Sequence, residues 1–87
     1  MPQRIEFTPK GDREFRKLSL PIQKRIKEKL EWYAAQENPL RWAKPLVDLL
    51  PPATHRFRIG GWRVSFYLER DAIVVDAAEI KGRAYRH

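Results

Sequence analysis

The stretch Thr54-His55-Arg56-Phe57-Arg58-Ile59-Gly60-Gly61-Trp62-Arg63-Val64-Ser65-Phe66 reads as a β-hairpin that turns on Gly60-Gly61. A Gly-Gly pair takes the positive φ values that two-residue hairpin turns require. With those two residues as the loop, Ile59 faces Trp62, Arg58 faces Arg63, Phe57 faces Val64 and Arg56 faces Ser65. Side chains alternate along a strand, so Arg56, Arg58 and Arg63 share one face, and Phe57, Ile59, Trp62, Val64 and Phe66 share the other. Like charges set directly opposite each other are destabilising. A hairpin that gathers guanidiniums on one side is better suited to holding an anion than to stability.

Working outward, Arg4–Phe7 alternates Arg4 and Glu6 with Ile5 and Phe7 and predicts a short strand. Thr8-Pro9 predicts a helix start, with Thr8 as N-cap and Pro9 in the first helical position. Phe15 and Leu18 carry the apolar side of this helix, and Gly11 weakens it slightly. Pro21, just after Ser19-Leu20, opens a second helix whose stripe Ile22, Ile26, Leu30 and Tyr33 has helical spacing. Asn38-Pro39 predicts its end near Glu37. Lys24 with Glu28 and Lys27 with Glu31 are spaced to pair along its surface. Residues 40–52, with Trp42, Leu46, Leu49 and Leu50, predict a packed loop or a short helical turn closed by Pro51-Pro52.

Strands are expected over residues 54–59, 62–69 and 72–79, the last two joined by a tight turn at Arg70-Asp71. That turn sets Phe66 opposite Val75, Leu68 opposite Ile73 and Val64 opposite Ala77. It also places Asp76 opposite Ser65, on the arginine face. The expected fold class is α+β: a β-α-α-β-β-β two-layer domain spanning residues 1–87, its antiparallel sheet carrying two helices on one face. The other face is then open, polar and rich in arginine.

The net charge is +7. This points to polyanions or acidic proteins as partners, and clustered arginine is the footprint of a nucleic-acid binder. The chain has no cysteine, which excludes disulfides and thiolate metal sites. His55 and His87 cannot complete a zinc site by themselves, so neither a metal nor another cofactor is expected. Residues 1–10 contain no apolar run of the signal-peptide kind, and no segment is long enough to span a bilayer. The expectation is a cytoplasmic protein with no membrane partner.

The tail Ile80-Lys81-Gly82-Arg83-Ala84-Tyr85-Arg86-His87 adds further cations and an aromatic ring. It is expected to leave the last strand at the sheet edge, close to Arg63. The candidate site therefore gathers Arg56, Arg58, Arg63, Lys81, Arg83 and Tyr85. Arginine offers a bidentate fork to phosphate oxygens, and tyrosine offers a stacking face of the kind that reads single-stranded RNA. Lys24 and Lys27, beside Arg25 and Lys29, read first as a solvated helix face and second as RNA-backbone contacts. Arg86 and His87 read as a frayed terminus, with Arg86 a further RNA-contact candidate. Taken singly, Arg56 could instead pair with Glu69 or Asp76. Tyr67 reads as a half-exposed strand residue. His55 falls on the apolar face by alternation and reads as structural rather than as a catalytic base. The convergence of Arg56, Arg58 and Arg63 is what the structural readings do not absorb.

The order strand, two helices, three strands resembles the RelE/ParE toxins of toxin–antitoxin modules. The likeness is carried by Ile5-Glu6-Phe7-Thr8, Phe15-Arg16-Lys17-Leu18, Ile22-Gln23-Lys24-Arg25-Ile26, the hairpin from His55 to Val64, and Gly82-Arg83-Ala84-Tyr85. It is nearer the RelE branch and covers nearly the whole chain. The resemblance implies a metal-independent endoribonuclease that cuts mRNA in the ribosomal A site, in contact with the 30S subunit and its 16S RNA. The reaction so implied is attack of a ribose 2′-OH on the adjacent phosphate. The positions that match the family's functional residues are Arg56, Arg63, Lys81, Arg83 and Tyr85. It also implies a cognate antitoxin and a higher-order toxin–antitoxin complex on operator DNA. The alternatives are a ParE-like inhibitor of DNA gyrase without nuclease activity, or a degenerate toxin that only binds RNA.

Overall fold

The computed structural model describes residues 3–46 and 52–80. In chain order they form β1 (Arg4–Phe7), α1 (Pro9–Arg16), α2 (Leu20–Ala34), a single 3₁₀ turn (Pro39–Trp42), β2 (Lys44–Pro45), β3 (His55–Ile59), β4 (Trp62–Glu69) and β5 (Ala72–Ile80). The strands make one five-stranded sheet in the order β1-β5-β4-β3-β2. Among the described residues no helix is long and apolar enough to cross a membrane.

The apolar stripe of α2 seats the helix on the sheet. Ile26, Leu30, Phe57, Val64, Phe66, Ile73 and Val75 are completely buried, and Tyr33 is nearly so. Three rings stack through this core. Tyr33 lies 4.0 Å from Phe57, 8° from parallel, and Phe57 lies 4.2 Å from Phe66 at 13°. Burial pushes the Tyr33 phenol pKa above its ordinary value, because the charged form is poorly solvated there.

The start of α1 follows from its sequence. Pro9 opens it, and the Thr8 hydroxyl accepts a hydrogen bond from the Gly11 N–H at 3.0 Å. The same hydroxyl donates to Asp76 Oδ1 at 2.9 Å, and Lys10 Nζ stands 3.8 Å from Asp76 Oδ2. The Thr8 N–H donates to the Val75 carbonyl and the Ala78 N–H to Glu14 Oε1. Helix α1 is therefore fastened to the backbone of β5. Gly11 is the residue that lets it approach, since a Cβ there would overlap the Val75 carbonyl oxygen. The sequence marks Gly11 only as a mild helix weakener; the close contact gives it a structural purpose.

Some expectations are corrected. The sheet is mixed, because β1 runs parallel to β5, with Arg4 opposite Ala72 and Phe7 opposite Val75. Strand β5 is consequently interior rather than an edge, and Ala72 to Ala78 are all buried. A bulge between Ser65 and Phe66 shifts the β4–β5 register. Phe66 faces Val75 and Leu68 faces Ile73 as expected, but Val64 faces Ala78 and Ser65 faces Ala77. Asp76 is the residue left over, and its carboxylate is held by Thr8 and Lys10 of the helical layer instead of joining the arginine face. Helix α2 ends at Ala34, before Glu37. The Ala34 carbonyl is taken by the Gln3 N–H at 2.8 Å, and the Gln36 amide caps the Trp32 carbonyl. Where residues 40–52 predict a packed loop or a short helical turn, the described part forms the 3₁₀ turn Pro39–Trp42, and a small fifth strand, β2, follows it. Leu49 and Leu50 lie outside the described residues.

Replacing Gly11 by Ala tests the α1–β5 contact. Alanine favours a helix interior by about 1 kcal/mol over glycine. Overpacking against a backbone carbonyl costs about 1–3 kcal/mol and is predicted to win. Urea denaturation should show Gly11→Ala less stable than the parent; a more stable variant would mean that α1 does not sit this close to β5.

Candidate nucleic-acid interface

The hairpin forms in the register read from its turn. Arg56 faces Ser65, Phe57 faces Val64, Arg58 faces Arg63 and Ile59 faces Trp62. Gly60 has φ of +60° at the first central position, as a type II′ turn demands, so the turn's twist matches that of its strands. The second hairpin turns on Arg70-Asp71, with Arg70 itself at φ +57°.

Alternation then delivers the chemistry. Phe57 and Ile59 are buried under α2, so Arg56 and Arg58 emerge on the opposite face of the sheet. In β4, Val64 and Phe66 are buried and Arg63 shares the face of Ser65 and Tyr67. Arg56, Arg63 and Tyr67 are half-buried, and Arg58 is exposed. Strand β2 adds a cation that the sequence did not reveal: Lys44 is the register partner of Arg56 and so belongs to the same face. Its signal was absent because a strand of two residues has no periodicity to read. On the other side, Glu79 of β5 faces Arg63.

The ion pairs among the described residues join Arg4 to Glu6 and Asp71, Lys10 to Asp76, and Arg16 to Asp12. None involves Arg56 or Arg58. The Nε of Arg56 is buried and has no hydrogen-bond partner among the described residues. A buried donor left in this way carries a desolvation cost that a bound anion would recover. The face therefore presents guanidiniums and an ammonium around small floor residues, Ser65 and Ala77. This arrangement can bind phosphate oxygens and stabilise charge that develops on them.

Of the other site residues expected from sequence, Lys24 and Lys27 lie exposed on α2, in the helical layer, across the sheet from the arginines. The structure does not bring them to the same surface. His55 sits half-buried with its Nδ1 2.9 Å from Thr54 Oγ1 and its ring 6.0 Å from Phe66, a packed position consistent with a structural role. Lys81, Arg83, Tyr85 and Arg86 lie outside the described residues, as does His87. Among the described residues no three histidine, aspartate or glutamate side chains cluster as a metal site would need.

Comparison with known proteins gives a single direction. No family model matches the chain, and no curated protein matches it by sequence. Solved structures do. The toxin–antitoxin complex RelBE2 from Mycobacterium tuberculosis contains a chain with a TM-score of 0.77 and 25% identity, over 93% of this chain and 100% of that one. The archaeal RelE–RelB complex from Pyrococcus horikoshii gives 0.68 at 16% identity, over 95% of this chain and 99% of that one. The isolated RelE toxin of E. coli gives 0.68 at 17% identity, over 93% and 86%. The architecture, two helices on a five-stranded mixed sheet, is the RelE fold. These likenesses show that the chain shares the fold of RelE toxins.

Two stability measurements check the hairpin. Gly60→Ala forces an L-residue to positive φ and should cost about 1–2 kcal/mol. Gly61→Ala should change stability by no more than about 0.5 kcal/mol, because a Cβ there meets nothing within 4 Å. Equal losses would show that the turn is not of this type. Arg58→Thr removes a like-charge cross-strand pair and should raise stability by a few tenths of a kcal/mol at low salt. That gain should vanish near ~1 M salt, where the Debye length is about 3 Å; a gain that persists would mean packing, not charge, is responsible.

Proposed function

We propose that the protein is the toxin of a toxin–antitoxin pair and acts in the cytoplasm as a ribosome-dependent mRNA endoribonuclease. The observation that carries this reading is the register-fixed set Arg56, Arg58 and Arg63, joined by Lys44, on the open face of a RelE fold. A gyrase poison built on the same fold has no need of a phosphate site. The neighbours in complex with RelB support a cognate antitoxin as partner. The 30S subunit with its 16S RNA, and operator DNA reached through the antitoxin, belong to the same proposal.

The reaction is transesterification within the RNA strand. The ribose 2′-oxygen forms a bond to the adjacent phosphorus as the bond from phosphorus to the 5′-oxygen breaks. The 2′-OH proton leaves to a base, and the departing 5′-oxygen takes a proton. Negative charge grows on the non-bridging oxygens in the pentavalent transition state. In this reading Arg56 and Arg63 stabilise that charge with their guanidiniums. Arg58 and Lys44 bind the flanking phosphates. Strand β5 ends at Ile80, the register partner of Trp62, next to Arg63 in β4. In this reading Lys81 and Arg83 clamp the backbone or supply the acid, and Tyr85 stacks on a base or takes the 2′-OH proton. A tyrosine used as base needs its pKa lowered from about 10, which neighbouring cations favour. Such a centre is a slow catalyst by itself and gains from a ribosome that holds the mRNA in line.

Primer extension on mRNA in a translating extract tests the proposal. Wild-type protein should produce discrete cuts that need ribosomes, and expression in cells should arrest growth. Arg63→Ala and Arg56→Ala should each lower the cleavage rate by about 10²–10³-fold, the range for losing one preorganised charge-stabilising group. Growth arrest with intact mRNA and a DNA-damage response would overturn the nuclease reading in favour of gyrase inhibition. Cuts undiminished in both variants would remove the site assignment.

A further inference from the structure

The arginine face does not use the largest exposed side chains of the fold. Trp32 and Trp42 keep 43% and 48% of their surface in solvent. Their indoles meet edge to face, 5.1 Å apart at 73°. Trp32 is further braced by Tyr33 at 5.5 Å, so it is held in place without being buried. The stripe that anchors α2, Ile26, Leu30 and Tyr33, does not include it. Adjoining, half-exposed indoles rimmed by polar residues form the kind of contiguous apolar patch that marks an interaction site.

The surroundings indicate what kind of partner. Trp32 lines an open recess of about 430 Å³ together with Arg25, Glu28, Lys29 and Arg58, so cations outnumber the single carboxylate. Lys29 Nζ stands 4.7 Å from the centre of the Trp32 ring. The Arg25 guanidinium reaches the hairpin turn, 3.8 Å from where a Cβ on Gly60 would lie. Arg58 belongs to both surfaces. It is the register partner of Arg63 on the sheet face, and it also lines this recess. It can do both because β2 pairs only with His55 and Arg56, which leaves the edge of β3 beyond them without a strand neighbour among the described residues.

We propose that Trp32, flanked by Arg25, Lys29 and Arg58 and braced by Trp42, is a stacking subsite for an unpaired base of single-stranded RNA. The strand whose phosphates lie on the arginine face passes round the β3 edge at Arg58 and sets a base against the indole. Aromatic rings beside a cationic track are the composition that binds single strands without regard to sequence, since every base has a π face. Lys29 and Arg25 are placed for the phosphates on either side of that base. The inference rests on the RNA reading above and extends it from a phosphate site to a two-part track.

The test is a binding titration of the full chain with short unstructured RNA oligonucleotides, oligoadenylate and oligouridylate, at several salt concentrations and without ribosomes. Trp32→Ala should weaken binding about tenfold, with the salt dependence unchanged, and Trp32→Phe should recover most of the loss. Lys29→Gln should weaken binding to both oligonucleotides alike and reduce the salt slope by about 1. Oligoadenylate should bind more tightly than oligouridylate to the wild type, and that preference should shrink in Trp32→Ala. Matching thermal melts establish that the variants are folded, and Trp32→Phe keeps the test open if Trp32→Ala is not. If Trp32→Ala binds RNA as the wild type does while Arg56→Ala is weakened, the stacking subsite is wrong and the RNA reading stands. If Trp32→Ala loses only antitoxin affinity, the surface is a protein-docking site and the inference is overturned. If the wild type binds neither oligonucleotide, the RNA reading fails and the subsite with it.

Discussion

The stack of Tyr33, Phe57 and Phe66 decides which way the hairpin faces. Phe57 and Phe66 are fully buried, and each lies within about one ring spacing of its neighbour. Burying a phenylalanine is worth about 1.5–3 kcal/mol, and each aromatic pair adds about 0.5–1.5 kcal/mol. A slip of one residue in β3 would turn Phe57 and Ile59 to solvent and Arg56 and Arg58 into the core. Against that, opposing Arg58 and Arg63 costs only about 0.2–1 kcal/mol. Hydrophobic packing wins by a wide margin, and the molecule can hold its guanidiniums together at small expense.

The α1–β5 contact makes a second contribution that is electrostatic in effect. If the β4–β5 ladder ran without interruption, Asp76 would face Ser65 in the middle of the arginine surface, flanked by Arg56 and Arg63. The bulge diverts that carboxylate to Thr8 and Lys10 and lets Ala77 face Ser65 instead. The arginine face thus keeps its positive charge, and its floor is built of small side chains that let a ligand approach the guanidiniums. Gly11 and Thr8, which look like ordinary features of a helix start, are part of what keeps an acid off the site. Glu79 lies at the rim of this surface opposite Arg63, and Glu69 stands at the far end of β4, beyond Tyr67.

Much of this was legible from sequence because it is local. Gly60-Gly61 and the alternation around it fix the hairpin register, and Thr8-Pro9 marks the start of α1. The features that were not legible depend on distant parts of the chain. Nothing near Arg4–Phe7 says that it will run parallel to β5, so β5 looked like an edge. The bulge at Asp76 goes with a contact to Thr8, 68 positions away in sequence. Helix α2 stops at Ala34 because the Gln3 N–H captures its last carbonyl, although Asn38-Pro39 is the stronger local stop. Lys44 escaped notice because β2 is too short to show a period. Trp32 and Trp42 were invisible as a pair, since only the 3₁₀ turn brings Trp42 back to α2.

Arg58 shows how the two constraints meet. It is exposed where Arg56 and Arg63 are half-buried, and it sits at the one stretch of β3 that β2 leaves uncovered. The ring stack seats α2 against β3 through Tyr33 and Phe57, and Trp32, next to Tyr33 on α2, lines one recess with Arg58. A longer β2 would pair with β3 past Arg56 and wall off the arginine face from the helical layer. With β2 only two residues long, the edge stays open and one guanidinium serves both surfaces. Shortness of the edge strand, usually understood as protection against unwanted strand pairing, here also leaves a route for an extended anionic chain to pass from one layer to the other.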